Sequence, residues 1–236
     1  MTLKSYQIGR GRRIGDDDLP SETFFRLPPD KRLRIEKAAV REFTDYHYDA
    51  ASINRIVEAA RIAKGSFYQY FSDKKDLYLH LISLLAEQKA QMLKAYLNEN
   101  AHQEFFDLLH ELFAAGLRFA SEHPDWQRII SRLMQDHDHP IYLEIMQQNT
   151  RAADEFFCPL IEQAMERGEC RSDLDVPLTA HLITVLSSAT SDYYLQQNHQ
   201  IGSDYMRYAD QMIQLLQSGI GLNSQSETAQ EDTAND

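Results

Sequence analysis

Apolar residues recur along most of this chain with the spacing of amphipathic helices. Pro28-Pro29-Asp30 predicts a helix start, since proline is tolerated in a first turn, and Ile35, Ala38, Ala39 and Phe43 form its inner face. Ile53, Ile56, Val57 and Ala60 fall at i, i+3, i+4 and i+7 of a short second helix, with the Ser52 hydroxyl as its N-cap. The register breaks across Arg61-Ile62-Ala63, and a third helix opens near Lys64-Gly65-Ser66 with Phe67, Tyr68, Tyr70 and Phe71. A long helix follows from Lys74 to about Asn98, striped by Leu77, Leu81, Leu84, Leu85, Met92 and Leu93. After a charge-rich break, a helix from Phe105 to about Phe119 stops before Pro124, and Pro124 opens one that runs past Met134. Residues 141–167 read as a helix that Pro159 kinks or divides, with Gly168 as its stop. Two more helices lie near 177–197 and 204–220. Residues 1–27 have no helical period, and the polar, acidic tail 223–236 is expected to be disordered. The pattern is all-α.

Two short helices joined by a tight turn, the second opening on small and basic residues, is the plan of a helix-turn-helix reader of double-stranded DNA. With Phe67 and Phe71 assigned to the core, Lys64, Ser66, Tyr68 and Tyr70 are left outside, and Lys74 follows at the next helix start. Hydroxyl and ammonium groups of this kind grip phosphate oxygens. Gly65 removes a side chain where a backbone would approach DNA closely. Most helical corners bind nothing, so the exposed chemistry carries this reading more than the spacing does.

From Arg34 to Leu81 the chain resembles the DNA-binding domain of the TetR family of one-component bacterial regulators. The matching elements are Ile35-x-x-Ala38-Ala39-x-x-x-Phe43, Ser52-Ile53-x-x-Ile56, and Ala59-Ala60-x-Ile62-Ala63-Lys64-Gly65-Ser66-Phe67-Tyr68-x-Tyr70-Phe71-x-x-Lys74-x-x-Leu77. The resemblance implies a homodimer with a three-helix helix-turn-helix domain over 28–76 and a larger ligand-binding and dimerisation domain over 77–222. A flexible arm, 1–27, precedes them. It implies that a small molecule releases the DNA, that the long helix carries the signal, and that the last two helices pair with their copies in the partner. In this reading Ser52, Tyr68, Tyr70 and Lys74 hold phosphates of a pseudo-palindromic operator and Lys64 and Ser66 face bases. Gly65 permits the approach, and Asn54 adds a polar contact. Where the family carries glycine this chain has His47 and Arg61, both expected in left-handed backbone, at about 1 kcal/mol for Arg61.

Composition fits such a protein once it is divided. The net charge of −12 looks unsuited to DNA, yet residues 1–80 hold 15 Lys+Arg against 12 Asp+Glu, a balance of +3, and residues 81–236 hold 9 against 24, a balance of −15. A modestly basic head on an acidic body presents one face to phosphates. Arg10, Arg12 and Arg13 could reach a minor groove, but Asp16-Asp17-Asp18 follows at once and favours a plain leader. No run reaches the roughly 18 apolar residues of a membrane span, and the N-terminus has no signal-peptide character, so a cytoplasmic protein is expected. Two cysteines, Cys158 and Cys170, make no disulfide framework.

Phe106, Phe113, Trp126, Met134, Tyr142, Met146 and Phe156 are the candidates to line a pocket for an apolar or aromatic effector, although most would simply be core. Asp136-His137-Asp138-His139 has the ligand types of a divalent metal site, against the plainer reading of a polar inter-helix loop. A thiol switch at Cys158 or Cys170 would need a low thiol pKa, for which the flanking residues give little reason. No nucleophile–base pair, phosphate loop or zinc-spaced cluster is present, so neither catalysis nor a cofactor is expected. The expected function is a transcriptional repressor released by a small, largely apolar effector. The alternatives are a helix-turn-helix protein governed by a partner or organising the chromosome, and a metal-dependent sensor.

Overall fold

The computed structural model describes residues 20–221 apart from 101, 137, 199–201 and 203. The described residues form ten helices: α1 (Glu22–Phe25), α2 (Pro29–Asp45), α3 (Ile53–Ala59), α4 (Lys64–Tyr70), α5 (Lys74–Glu99), α6 (Phe105–Glu122), α7 (Pro124–Gln135), α8 (Pro140–Glu166), α9 (Val176–Asn198) and α10 (Tyr205–Ile220). The chain makes two compact units, and the division between Gln91 and Met92 falls inside α5. No helix among the described residues is long and apolar enough to cross a membrane.

In the N-terminal unit, Ile35, Ala39 and Phe43 of α2, Ile56 and Val57 of α3, Phe67 and Tyr70 of α4, Phe71, and Leu77, Tyr78 and Leu81 of α5 are all buried, with the Phe43 and Tyr78 rings 4.8 Å apart. Full burial of each large side chain contributes about 1.5–3 kcal/mol. α1 is a single turn inside the stretch expected to be a flexible arm. Its Phe24 is fully buried. The ring lies 4.8 Å from Phe71 and 5.2 Å from His80, centroid to centroid. Ser21 ties the same segment down, donating from its amide to the Tyr70 carbonyl (3.0 Å) and from Oγ to the Gln69 carbonyl (2.6 Å).

The start of α3 differs from expectation. The Ser52 hydroxyl makes no capping bond. Instead Glu42, buried on α2, accepts from the Ser52 amide (2.8 Å) and from Arg55 Nε (2.9 Å). A carboxylate delivered from a neighbouring helix is the stronger acceptor, and it ties α2 to α3. Arg55 also stacks 4.0 Å over the Tyr46 ring.

Two helices end in the same motif. After α8, the Gly168 amide donates to the Met165 carbonyl (3.1 Å) and the Glu169 amide to the Ala164 carbonyl (2.9 Å), with Gly168 left-handed at φ +72°. After α3, the Arg61 amide donates to the Glu58 carbonyl (3.1 Å) and the Ile62 amide to the Val57 carbonyl (3.0 Å), with Arg61 at φ +54°. This double bond pattern requires a left-handed residue at its turn, which glycine adopts freely. The expectation for Arg61 therefore holds. Among the described residues Arg61 alone, apart from glycine, has positive φ, so His47 is not left-handed. The α2–α3 link instead turns through extended backbone at Tyr46.

The core of the C-terminal unit joins Phe105 and Leu109 of α6, Ile161 and Ala164 of α8, Ala180 and Ile183 of α9, and Met212, Ile213 and Leu216 of α10. α8 continues through Pro159 rather than dividing there. An interior proline costs about 3 kcal/mol, which the burial of Ile161 and Ala164 in the following turn offsets. α9 is apolar on two faces. Ala180 and Ile183 point into this core, while Leu178, Leu182, Val185, Leu186 and Tyr193 stand 41–56% exposed.

Candidate nucleic-acid interface

α4 presents Lys64, Gly65, Tyr68 and Gln69 to solvent, with Ser66 half-buried beside them. Gly65 and Tyr68, and Gly65 and Gln69, are three and four residues apart, so they share one face. A Cβ added at Gly65 would meet nothing within 4 Å, so the fold does not itself demand glycine there. Asn54 is exposed on α3, and Ser52 is half-buried at its start. Gln69 escaped the sequence reading, which on the polar face of α4 weighed only cations and hydroxyls. Its signal was its spacing from Gly65 and Ser66, together with an amide that both donates and accepts.

Two expected contacts are corrected. Tyr70 is 4% exposed. Its hydroxyl accepts from Lys31 Nζ (3.1 Å), and its ring packs 6.1 Å from Phe24. Three residues from Phe67, it shares the buried stripe and not the outer face. Lys74 is the second correction. Its ammonium donates to the carbonyls of Tyr48 (2.6 Å), Asp49 (3.0 Å) and Ala51 (3.2 Å), 4.6 Å from the Tyr48 ring centroid. An ammonium has three N–H groups, and all three are used in holding the 46–51 link to the start of α5.

Other polar groups of this unit serve the scaffold. Arg34 Nε donates to the Ala60 carbonyl (2.8 Å) and fixes the α3–α4 turn. His80 Nε2 lies 3.1 Å from Glu36 Oε1, both side chains nearly buried. Asp76 accepts from the Ser72 amide (2.7 Å), and its own amide donates to Asp73 Oδ1 (2.8 Å), a reciprocal cap on α5. Burial raises the Asp76 carboxyl above the usual carboxylate range. A shallow open groove of about 420 Å³ between α2 and α3 is lined by Asp30, Leu33, Arg34, Lys37, Ala38, Arg41 and Ala59, too charged for an apolar effector.

In the C-terminal unit the seven pocket candidates, Phe106, Phe113, Trp126, Met134, Tyr142, Met146 and Phe156, are all partly buried. Phe106 and Phe113 pack on the core. α6 neighbours both α7 and α8, so the helices that bear the candidates are adjacent. Burial, and after it Asp192, raises the Tyr142 hydroxyl. His137 of the possible metal tract lies outside the described residues. His139 Nδ1 accepts from the Ile141 amide (3.1 Å) and so caps α8. No group of three or more His, Cys, Asp or Glu among the described residues could hold a metal. Burial pushes the Cys170 thiol up to about 11, and burial with Glu162 and Asp154 raises Cys158 too. Both shifts oppose the thiolate that a redox switch requires.

A family model described as bacterial regulatory proteins of the tetR family matches residues 35–81, which cover α2 from Ile35, α3, α4 and the start of α5. A TetR family transcriptional regulator from Chloroflexus aurantiacus, known as a crystal structure, is 33% identical, covering 87% of this chain and all of that one, with a TM-score of 0.58. The HTH-type transcriptional repressor AcnR of Corynebacterium glutamicum is 24% identical over 168 residues, 70% of this chain and 82% of AcnR. The regulator FadR from Bacillus subtilis in complex with stearoyl-CoA shares the fold at a TM-score of 0.62 and 19% identity, covering 80% of this chain and 98% of that one. With the helix-turn-helix in place and a full-length relative at this identity, the chain belongs to the tetR family of bacterial regulatory proteins.

Proposed function

We propose that this protein is a cytoplasmic, homodimeric repressor that binds a pseudo-palindromic operator and leaves it on binding a small apolar effector. The observation that carries the reading is the outer face of α4, where Lys64, Gly65, Tyr68 and Gln69 stand exposed within the family-matched segment. Lys64 suits the acceptors of guanine and Gln69 the donor–acceptor pair of adenine in a major groove. Ser52, Asn54 and Tyr68 suit phosphate oxygens, and the Ser66 hydroxyl suits a base edge. Tyr70 and Lys74 drop out of the contact set, because their polar groups are already bound within the fold.

The exposed stripe Leu178, Leu182, Val185, Leu186 and Tyr193 on α9, with Leu215 of α10 at 75% exposure, supports a dimer through the last two helices. FadR holds stearoyl-CoA, which makes a long apolar chain a reasonable effector class. The bulky anionic carrier is a poorer fit. Arg118, Arg128 and Arg151 on α6–α8 each lie within 3.9 Å of a carboxylate of Glu111, Asp125 or Glu155, in a unit with a large acidic excess. Effector binding would favour a spacing of the two reading heads that no longer matches the half-sites.

Release of bound operator duplex is the test, with long-chain fatty acids, their CoA thioesters and neutral aromatic compounds titrated in turn. Release by an uncharged or singly charged apolar compound is expected. Operator that stays bound against every class at saturation would favour the regulator without an effector.

A further inference from the structure

We infer that Arg61 is a further DNA contact, gripping a backbone phosphate beside the groove that α4 reads; this rests on the operator-binding reading above. The chain uses one helix-ending motif twice. At α8 it places glycine at the left-handed position, Gly168 with φ +72°. At α3 the same pair of amide–carbonyl bonds closes around an arginine at φ +54°. Nothing inside the fold accounts for that choice. The Arg61 side chain is exposed, and among the described residues it makes no hydrogen bond, ion pair or ring contact.

Its basic neighbours behave otherwise. Arg55 is held by Glu42, Arg34 by the Ala60 carbonyl, Lys31 by Tyr70 and Lys74 by three carbonyls. Arg61 and Lys64 are thus the cations around the α3–α4 turn with no partner among the described residues, and they flank the start of the reading helix. Arg34 fixes the carbonyl just before Arg61, so the arginine leaves the surface from a rigid point. A residue kept in strained backbone without internal contacts points to an external use for its side chain. A guanidinium beside a DNA-reading helix is suited to a phosphate, which it binds through two parallel N–H bonds.

Arg61→Gly removes the charge and the backbone strain together, while Arg61→Lys keeps the charge. Binding of both variants and of the wild type to a duplex carrying the protein's protected site is measured by anisotropy across a salt series, with a thermal melt of each protein. Arg61→Gly is expected to melt no lower than the wild type yet to bind about tenfold more weakly per half-site. Its salt slope should be smaller by about 0.9 per half-site. Arg61→Lys should retain the slope. An Arg61→Gly variant with unchanged affinity and slope overturns the inference, as does one that melts lower, because the arginine would then serve the fold. A wild type that selects no site would instead overturn the operator reading itself, a failure seen before any variant is compared.

Discussion

Removing the Lys74 ammonium separates a scaffold role from a DNA contact. In Lys74→Met the stem is kept and the charge removed. Three charge-assisted bonds are lost, at 2.6, 3.0 and 3.2 Å, together with the contact to the Tyr48 ring. Hydrogen bonds from a charged group contribute about 1.5–3 kcal/mol each when desolvated. The Asp49 carbonyl is water-exposed, and Tyr48 and Ala51 are reached through a partly exposed lysine, so water recovers much of this. A net loss of about 2–3 kcal/mol follows, or roughly 5–10 °C in the midpoint for a chain of this length. The assay is thermal unfolding followed by circular dichroism, with operator titration across a salt series at a temperature where the variant remains folded. Because the ammonium has no N–H left for a phosphate, the salt slope should stay within error of the wild type. A variant of undiminished stability whose slope falls by about 0.9 per half-site would refute this reasoning and return Lys74 to the phosphates.

Lys64→Ala should relax preference at one base pair of each half-site by about 1–3 kcal/mol of discrimination, read by selection from a randomised site; unchanged preference would place α4 outside the groove. Leu182→Asp should raise the dimer dissociation constant by at least about 100-fold, since two copies of a leucine lose their burial, and sedimentation at equilibrium would read it. Cys170 favours the neutral thiol in the folded state, with its pKa raised from an ordinary 9.0 to about 11. The stability this contributes is fully present below pH 9.0 and is lost as pH rises toward about 11, so Cys170→Ala should flatten that part of the pH–stability curve. Equal slopes in the two proteins would show that Cys170 does not govern alkaline unfolding.

The helical period made most of the architecture legible. Stripes such as Ile53, Ile56, Val57 and Ala60, and caps such as Pro124 and Gly168, placed nine of the ten helices near their bounds. α1 was missed because four residues span a single turn and carry no period. What fixes it is Phe24 under Phe71 and His80, a contact across more than forty residues of sequence. At the site, Lys64, Gly65 and Tyr68 were legible as the polar side of a striped helix. Tyr70 was not, because its hydroxyl suggested an outer position while its spacing from Phe67 puts it inside. Lys74 was misjudged for a related reason. Sequence shows a cation but not its acceptors, and here they are carbonyls of a link more than twenty residues upstream. The left-handed turn at Arg61 was legible, because the match fixed both the position and the geometry it needs. The two-faced character of α9 was only half legible, since an apolar residue reads the same whether it meets its own core or a second protomer.

On this reading the exposed face of α4 recognises a specific duplex as part of a dimer. Selection of bound fragments from the host genome, followed by footprinting, tests it most directly. A protected pseudo-palindrome with its half-sites about one helical turn or a multiple of it apart is the predicted result. Weak, salt-sensitive protection without a preferred site, at protein concentrations where the dimer is intact, would contradict it.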